Sequence, residues 1–191
     1  MVDLGEGKVQ PLKAEGLPGA PVHAAWSPDG QTLAVAVPTR THITLFTLPS
    51  AGGKAERLVS MPGVMEPLRA PGLVWQADGK AVLLHTWQQG EQGAETRHTG
   101  VWAVPVGGGA PVRVVDPIAD LASPAWAPDG QWLAYRHRRE GVRYALHLPS
   151  GRRVRLGGWT GQNDLRFTFQ GSNVWYPCPS GLCRTVLPPV K

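Results

Sequence analysis

Charge, helical periodicity and long apolar runs are all scarce in this chain of 191 residues, of which 17% are charged. No apolar run approaches the ~18 to 20 residues that a membrane helix needs. The opening M-V-D-L-G-E-G-K lacks the basic and apolar regions of a signal peptide. No segment repeats apolar residues at i, i+3, i+4 and i+7 over the ~11 positions that identify an amphipathic helix, so the chain reads as all-β. There is no G-x-S-x-G segment to carry a nucleophilic serine. Gly107, Gly108 and Gly109 stand without the lysine or the helix of a phosphate-binding loop. Cysteine is limited to Cys178 and Cys183, too few for a structural zinc site, which takes four ligands.

What the chain has instead is punctuation. Its 24 glycines and 19 prolines are spread between short apolar runs, as expected of one globular domain built from many short elements and turns. One turn is written three times: Trp26-Ser-Pro-Asp-Gly30, Trp75-Gln-Ala-Asp-Gly79 and Trp126-Ala-Pro-Asp-Gly130, with a degenerate copy at Phe169-Gln-Gly-Ser-Asn173. The intervals of 49, 51 and 43 residues are those of a repeat architecture. Pro28 and Pro128 preset the first corner, Asp29, Asp78 and Asp129 bond a downstream amide, and Gly30, Gly79 and Gly130 supply the positive φ. The aspartates are therefore turn residues and not catalytic acids.

After each turn come a strand rich in β-formers (33–37, 81–85, 132–136, 174–176), a third (42–48, 101–106, 143–148) and a fourth (55–59, 111–115, 152–156). The units span about 20–62, 70–116, 121–157 and 164–191 within a single domain, 1–191. Residues 2–12 read as the end of one strand, a turn and another strand. Such a strand would complete the last unit and remove two exposed sheet edges; edge-to-edge self-association of two copies is the alternative way to cover them.

The motif aromatic-x-Pro-Asp-Gly-x-x-Leu-Ala, followed by two more strands, resembles the TolB-like, WD-type β-propeller repeat, which also occurs in the propellers of prolyl-oligopeptidase-like enzymes. The resemblance covers residues 20 to 177. It implies a propeller of about four four-stranded antiparallel blades, closed as a small ring or forming an arc of a larger one. The helical domain that precedes the propeller in TolB has no counterpart in this chain, and four units are fewer than that family commonly has.

Candidate site residues follow from what the turns and strands leave over. Cys178 and Cys183 bracket P-S-G-L between two strands, at a spacing that allows a disulfide, and a disulfide favours an extracytoplasmic location, periplasm or cell envelope. The histidines at 23, 42, 85, 98, 137 and 147 are scattered, with His85 and His137 read as equivalent places near one rim and as ordinary strand positions. Trp26, Trp75 and Trp126 fit buried positions between blades, and Trp102 and Trp132 fit positions between sheets. Trp87 and Trp159 open loop segments, where they serve either local packing or binding.

Arg136, Arg138, Arg139, Arg143, Arg152, Arg153 and Arg155 concentrate much of the net charge of +5 and read mainly as a solvated strand face. No recognition helix accompanies them, so nucleic acid is not the expected partner, and no cofactor or metal is expected. The expected function is non-catalytic: a scaffold whose loops hold another protein or a peptide, with Trp87, Trp159, Arg136, Arg138 and Arg143 as contact residues. The alternatives are the substrate-gating propeller of a larger hydrolase, inert by itself, and a small-molecule or carbohydrate binder.

Overall fold

Glycine and proline cut the sequence into extended runs too short for helices and rich enough in Val, Leu, Ala and aromatics to pair as strands. The computed structural model describes residues 2–3, 8–9, 11–62, 72–88, 98–119, 121–137, 140–157 and 167–189. At the N-terminal end β1 (Val2–Asp3) pairs with β2 (Lys8–Val9), and β3 (Ala14–Glu15) follows. The first large sheet contains β4 (His23–Trp26), β5 (Thr32–Pro38), β6 (His42–Pro49) and, after the short β7 (Gly53–Lys54), β8 (Glu56–Pro62). The second contains β9 (Leu73–Trp75), β10 (Ala81–Gln88), β11 (His98–Pro105) and β12 (Val112–Ala119). The third contains β13 (Leu121–Trp126), β14 (Trp132–His137), β15 (Arg143–His147) and β16 (Arg153–Leu156). The fourth has three strands: β17 (Thr168–Gln170), β18 (Asn173–Cys178) and β19 (Gly181–Val186). All four are antiparallel meanders in chain order.

The Asp-Gly turns join the first two strands of the first three sheets. Gly30, Gly79 and Gly130 have φ of 69°, 70° and 66°, and their amides bond the carbonyls of Ser27, Gln76 and Ala127. Asp29, Asp78 and Asp129 each accept, through Oδ1, the amide two residues on, at 2.9 to 3.0 Å. In the first turn the Ser27 hydroxyl also donates to Asp29, which holds that carboxyl below its ordinary pKa.

The first three sheets are buried on both faces and the fourth on one, and three of the four cores lie between successive sheets. Trp75 and its neighbours Leu73, Val82 and Leu84 pack on Ala34, Ala36, Ile43 and Leu45 of the first sheet. The Trp75 indole N–H donates to the Ala25 carbonyl at 2.8 Å. Trp126, with Leu133, Tyr135 and Leu146, packs on Leu83 and Val101 of the second sheet. Phe167, Val174 and Tyr176 of the fourth pack on Trp132, Ala134, Ala145 and Leu156 of the third, with Phe169 against the same cluster. The aromatic before the turn thus closes each sheet onto the preceding one.

Trp26 departs from that rule. Expected to be buried, it is 43% exposed, whereas Trp75 and Trp126 are 4% and 8% exposed. Among the described residues no sheet lies on its face. That face, with Val35, Val37, Phe46 and Leu48, is covered by Leu12 and Leu17. The segment bearing these leucines is held by a parallel pairing of β3 with β7, through Gly53 N–H to Lys13 C=O and Ala55 N–H to Glu15 C=O. The strand pairing therefore corrects the expected role of residues 2–12. Among the described residues none joins the three-stranded last sheet, because β1 is taken up by β2 and the following segment by the first sheet.

Candidate binding rim

An antiparallel meander puts its odd and even connections on opposite rims. The first rim carries the Asp-Gly turns and the connections from third to fourth strand. On it, Ala77 N–H bonds Asp129 C=O at 3.1 Å, joining the turns of the second and third sheets. The second rim carries the ends of second and third strands: 38–42, Gln88 and His98, 137 with 140–143, and 178–181. The candidate residues that the structure describes gather there.

At the third sheet, Arg136 near the end of β14 is the register partner of Arg143 at the start of β15. Arg136 is half-buried, and Arg152, Arg153 and Arg155 are exposed, as a solvated strand face requires. Arg143 differs from them all. Expected on the contact surface, it is 0% exposed, because alternation along β15 turns it with Ala145 toward the fourth sheet. Its Nη1 donates to the Pro177 carbonyl at 2.6 Å, and its guanidinium lies 5.5 Å from the centre of the Tyr176 ring. Burial pushes its pKa down, and Arg136 adds to that, against the favourable influence of Tyr176. On the connecting turn, Glu140 accepts the Tyr144 hydroxyl at 2.8 Å and lies 3.8 Å from His137 Nε2.

Pro177 is presented to Arg143 by a closed hairpin. Cys178 and Cys183 form a disulfide with their Cα atoms 5.7 Å apart. A loop this short gains about 2 kcal/mol from chain-entropy restriction. Cys178 is also part of the core between the third and fourth sheets, so the bridge ties the rim to packed structure.

Trp87 belongs to β10, opposite Thr99, and does not begin a loop. Trp159 and Arg138 lie outside the described residues. His85 and His137 are not equivalent: with Trp75 opposite Val82 and Trp126 opposite Leu133, His85 stands level with Arg136, and His137 one residue further on. That single-residue offset turns them to opposite faces. His85 instead comes near His23, and both have a buried Nε2 without a hydrogen-bond partner. Burial, with repulsion from His23 second, lowers the His85 pKa from 6.5 to about 4.

The sign of that shift gives a prediction. A histidine whose folded pKa lies below its unfolded one contributes stability that is present above pH 6.5 and lost as pH falls toward 4. Urea unfolding at stepwise lower pH should show a loss of roughly 2 to 3 kcal/mol over that window. A His85→Leu variant should flatten the profile; an unchanged profile would show that His85 does not titrate as its burial implies. His147, bonded to Ser150 through Nδ1 and enclosed at Nε2, is shifted the same way by burial, opposed by Asp129.

The architecture is shared with known proteins. Hydrazine synthase from Kuenenia stuttgartiensis matches with a TM-score of 0.69 at 15% identity, over 97% of this chain and 63% of that one. TolB from Acinetobacter baumannii matches with a TM-score of 0.60 at 17% identity, over 92% of this chain and 44% of that one. The fold is a β-propeller. It is an all-β propeller of four blades, the last with three strands among the described residues.

In sequence, the uncharacterized peptidase YuxL of Bacillus subtilis (strain 168) is 28% identical over 142 residues, 58% of this chain. This propeller spans a fifth of the length of that relative, and less than two thirds of both structures named above. No protein-family model matches the chain.

Proposed function

We propose that the propeller is a non-catalytic recognition module that binds a protein or peptide at the second rim, outside the cytoplasm. The observation that carries the reading is the contrast between rims. One carries the self-bonded Asp-Gly turns. The other presents Arg136, His137 and Glu140 beside a disulfide-closed hairpin, all mounted on buried sheets. Recognition residues are commonly carried by loop ends held on a rigid scaffold. The disulfide is the support for an oxidising compartment.

Panning a displayed peptide library against the chain tests the reading. Selected peptides should lose about tenfold in affinity with Trp87→Ala while the melting temperature stays within a few degrees. Gln31→Ala on the turn rim should bind as wild type does. Equal loss with Gln31→Ala, or unfolding of Trp87→Ala, would contradict the assignment.

A second reading is favoured by the similarity to the peptidase YuxL: the chain would be the propeller of a larger hydrolase and inert by itself. It requires a G-x-S-x-G segment elsewhere in the whole protein. A complete coding sequence without one excludes it.

A further inference from the structure

We propose that Arg136 and Arg143 together hold an oxyanion, the carboxylate of an acidic peptide, where the third and fourth blades meet at the second rim. The inference rests on the recognition reading and adds the chemistry of what is recognised. Arg143 is enclosed on all sides, spends Nη1 on the Pro177 carbonyl, and leaves Nη2 buried without a partner. A guanidinium does not shed its proton in a protein, so the charge stays. Its register partner across the ladder is another guanidinium, Arg136, and like charges placed directly opposite disfavour the pairing.

Among the described residues no carboxylate answers this pair. Glu140, the nearest in the chain, is engaged by Tyr144 and His137, and Tyr144 points from the opposite face of β15. Asp129 is committed to its turn at the other rim. From the fourth blade, Tyr176 offers only its ring face, because its hydroxyl accepts the Gly157 amide and bonds Thr185. The result is two adjacent cations with unspent donors. One of them, Arg136, is half-exposed at the rim.

A planar carboxylate matches the paired donors of a guanidinium. Its single charge costs less to desolvate than the double charge of a phosphate.

The test compares melting temperatures of the full chain in sodium succinate, sodium phosphate and sodium chloride at pH 7.5 and equal ionic strength. Succinate should raise the midpoint by about 3 °C or more over chloride, phosphate should raise it less, and Arg136→Gln should abolish the rise. Succinate should also displace acidic peptides selected on the rim, and Arg136→Gln should weaken those peptides about tenfold or more. Arg143→Gln should behave likewise; should it fail to fold, the Arg136→Gln comparison decides alone. Stabilisation by phosphate but not succinate, no stabilisation by either, or an equal rise in Arg136→Gln would overturn the proposal. Selected peptides that bind Arg136→Gln undiminished would sink this inference and leave the recognition reading standing. Protection by succinate in wild type alone, with no peptide selected, would leave the anion site standing and sink peptide recognition.

Discussion

Trp75→Ala should cost roughly 3 to 5 kcal/mol of unfolding free energy, while Trp26→Ala should cost about 1 kcal/mol, although the two tryptophans occupy the same place in the repeat. The difference is one of neighbours. Trp75 is buried against Ala34, Ala36, Ile43 and Leu45, and its indole N–H satisfies the Ala25 carbonyl. Truncating it empties a space between two sheets that cannot close without moving both, and it orphans a carbonyl. Trp26 has nearly half its surface in water, so truncation removes little contact. Urea denaturation of the two variants, with the slopes checked against wild type, measures both numbers. Equal losses would show that the first blade is covered as the second is, and that the stacking order given above is wrong.

The glycines of the turns separate in the same way. All three sit near φ +70°, where any L side chain costs about 1 to 2 kcal/mol. At Gly30 a Cβ meets nothing within 4 Å, so Gly30→Ala should cost only that much. At Gly130 a Cβ would stand 2.7 Å from the Trp75 carbonyl oxygen and 3.2 Å from the Gln76 Cα, both backbone atoms. The third blade's turn must then back away from the second, loosening the Ala77 to Asp129 hydrogen bond. Gly130→Ala should therefore lose roughly 2 to 5 kcal/mol, adding the cost of overpacking to that of the backbone. Matching losses at the two positions would mean that the turn of the third blade does not press on the second.

The strands and turns were open to sequence reading because their signals are local. β-Formers after Asp-Gly mark the second strand of the first three blades, and the recurrent tryptophan fixes the phase. What depended on a neighbour was hidden. The repeat gives Trp26 and Trp75 the same grammar, and only the packing shows that one lacks a preceding sheet. Alternation along β15 assigns Arg143 to a face, but whether that face is covered depends on the fourth blade, more than thirty residues away. His85 and His137 looked equivalent because sequence alignment across a turn tolerates a slip of one residue. A sheet does not, since one residue reverses the face. The parallel pairing of β3 with β7 carries no pattern of its own in two-residue strands, so the attachment of this segment to the first sheet is not readable from sequence.

The proposed recognition surface is the rim between second and third strands, and the Asp-Gly turns take no part in it. Amide hydrogen exchange, with and without a library-selected peptide at saturating concentration, tests it most directly. Exchange should slow at 137, 140–143 and 178–183, with no change at 27–31, 76–80 and 127–131. Protection of the turns with the rim unchanged would contradict it.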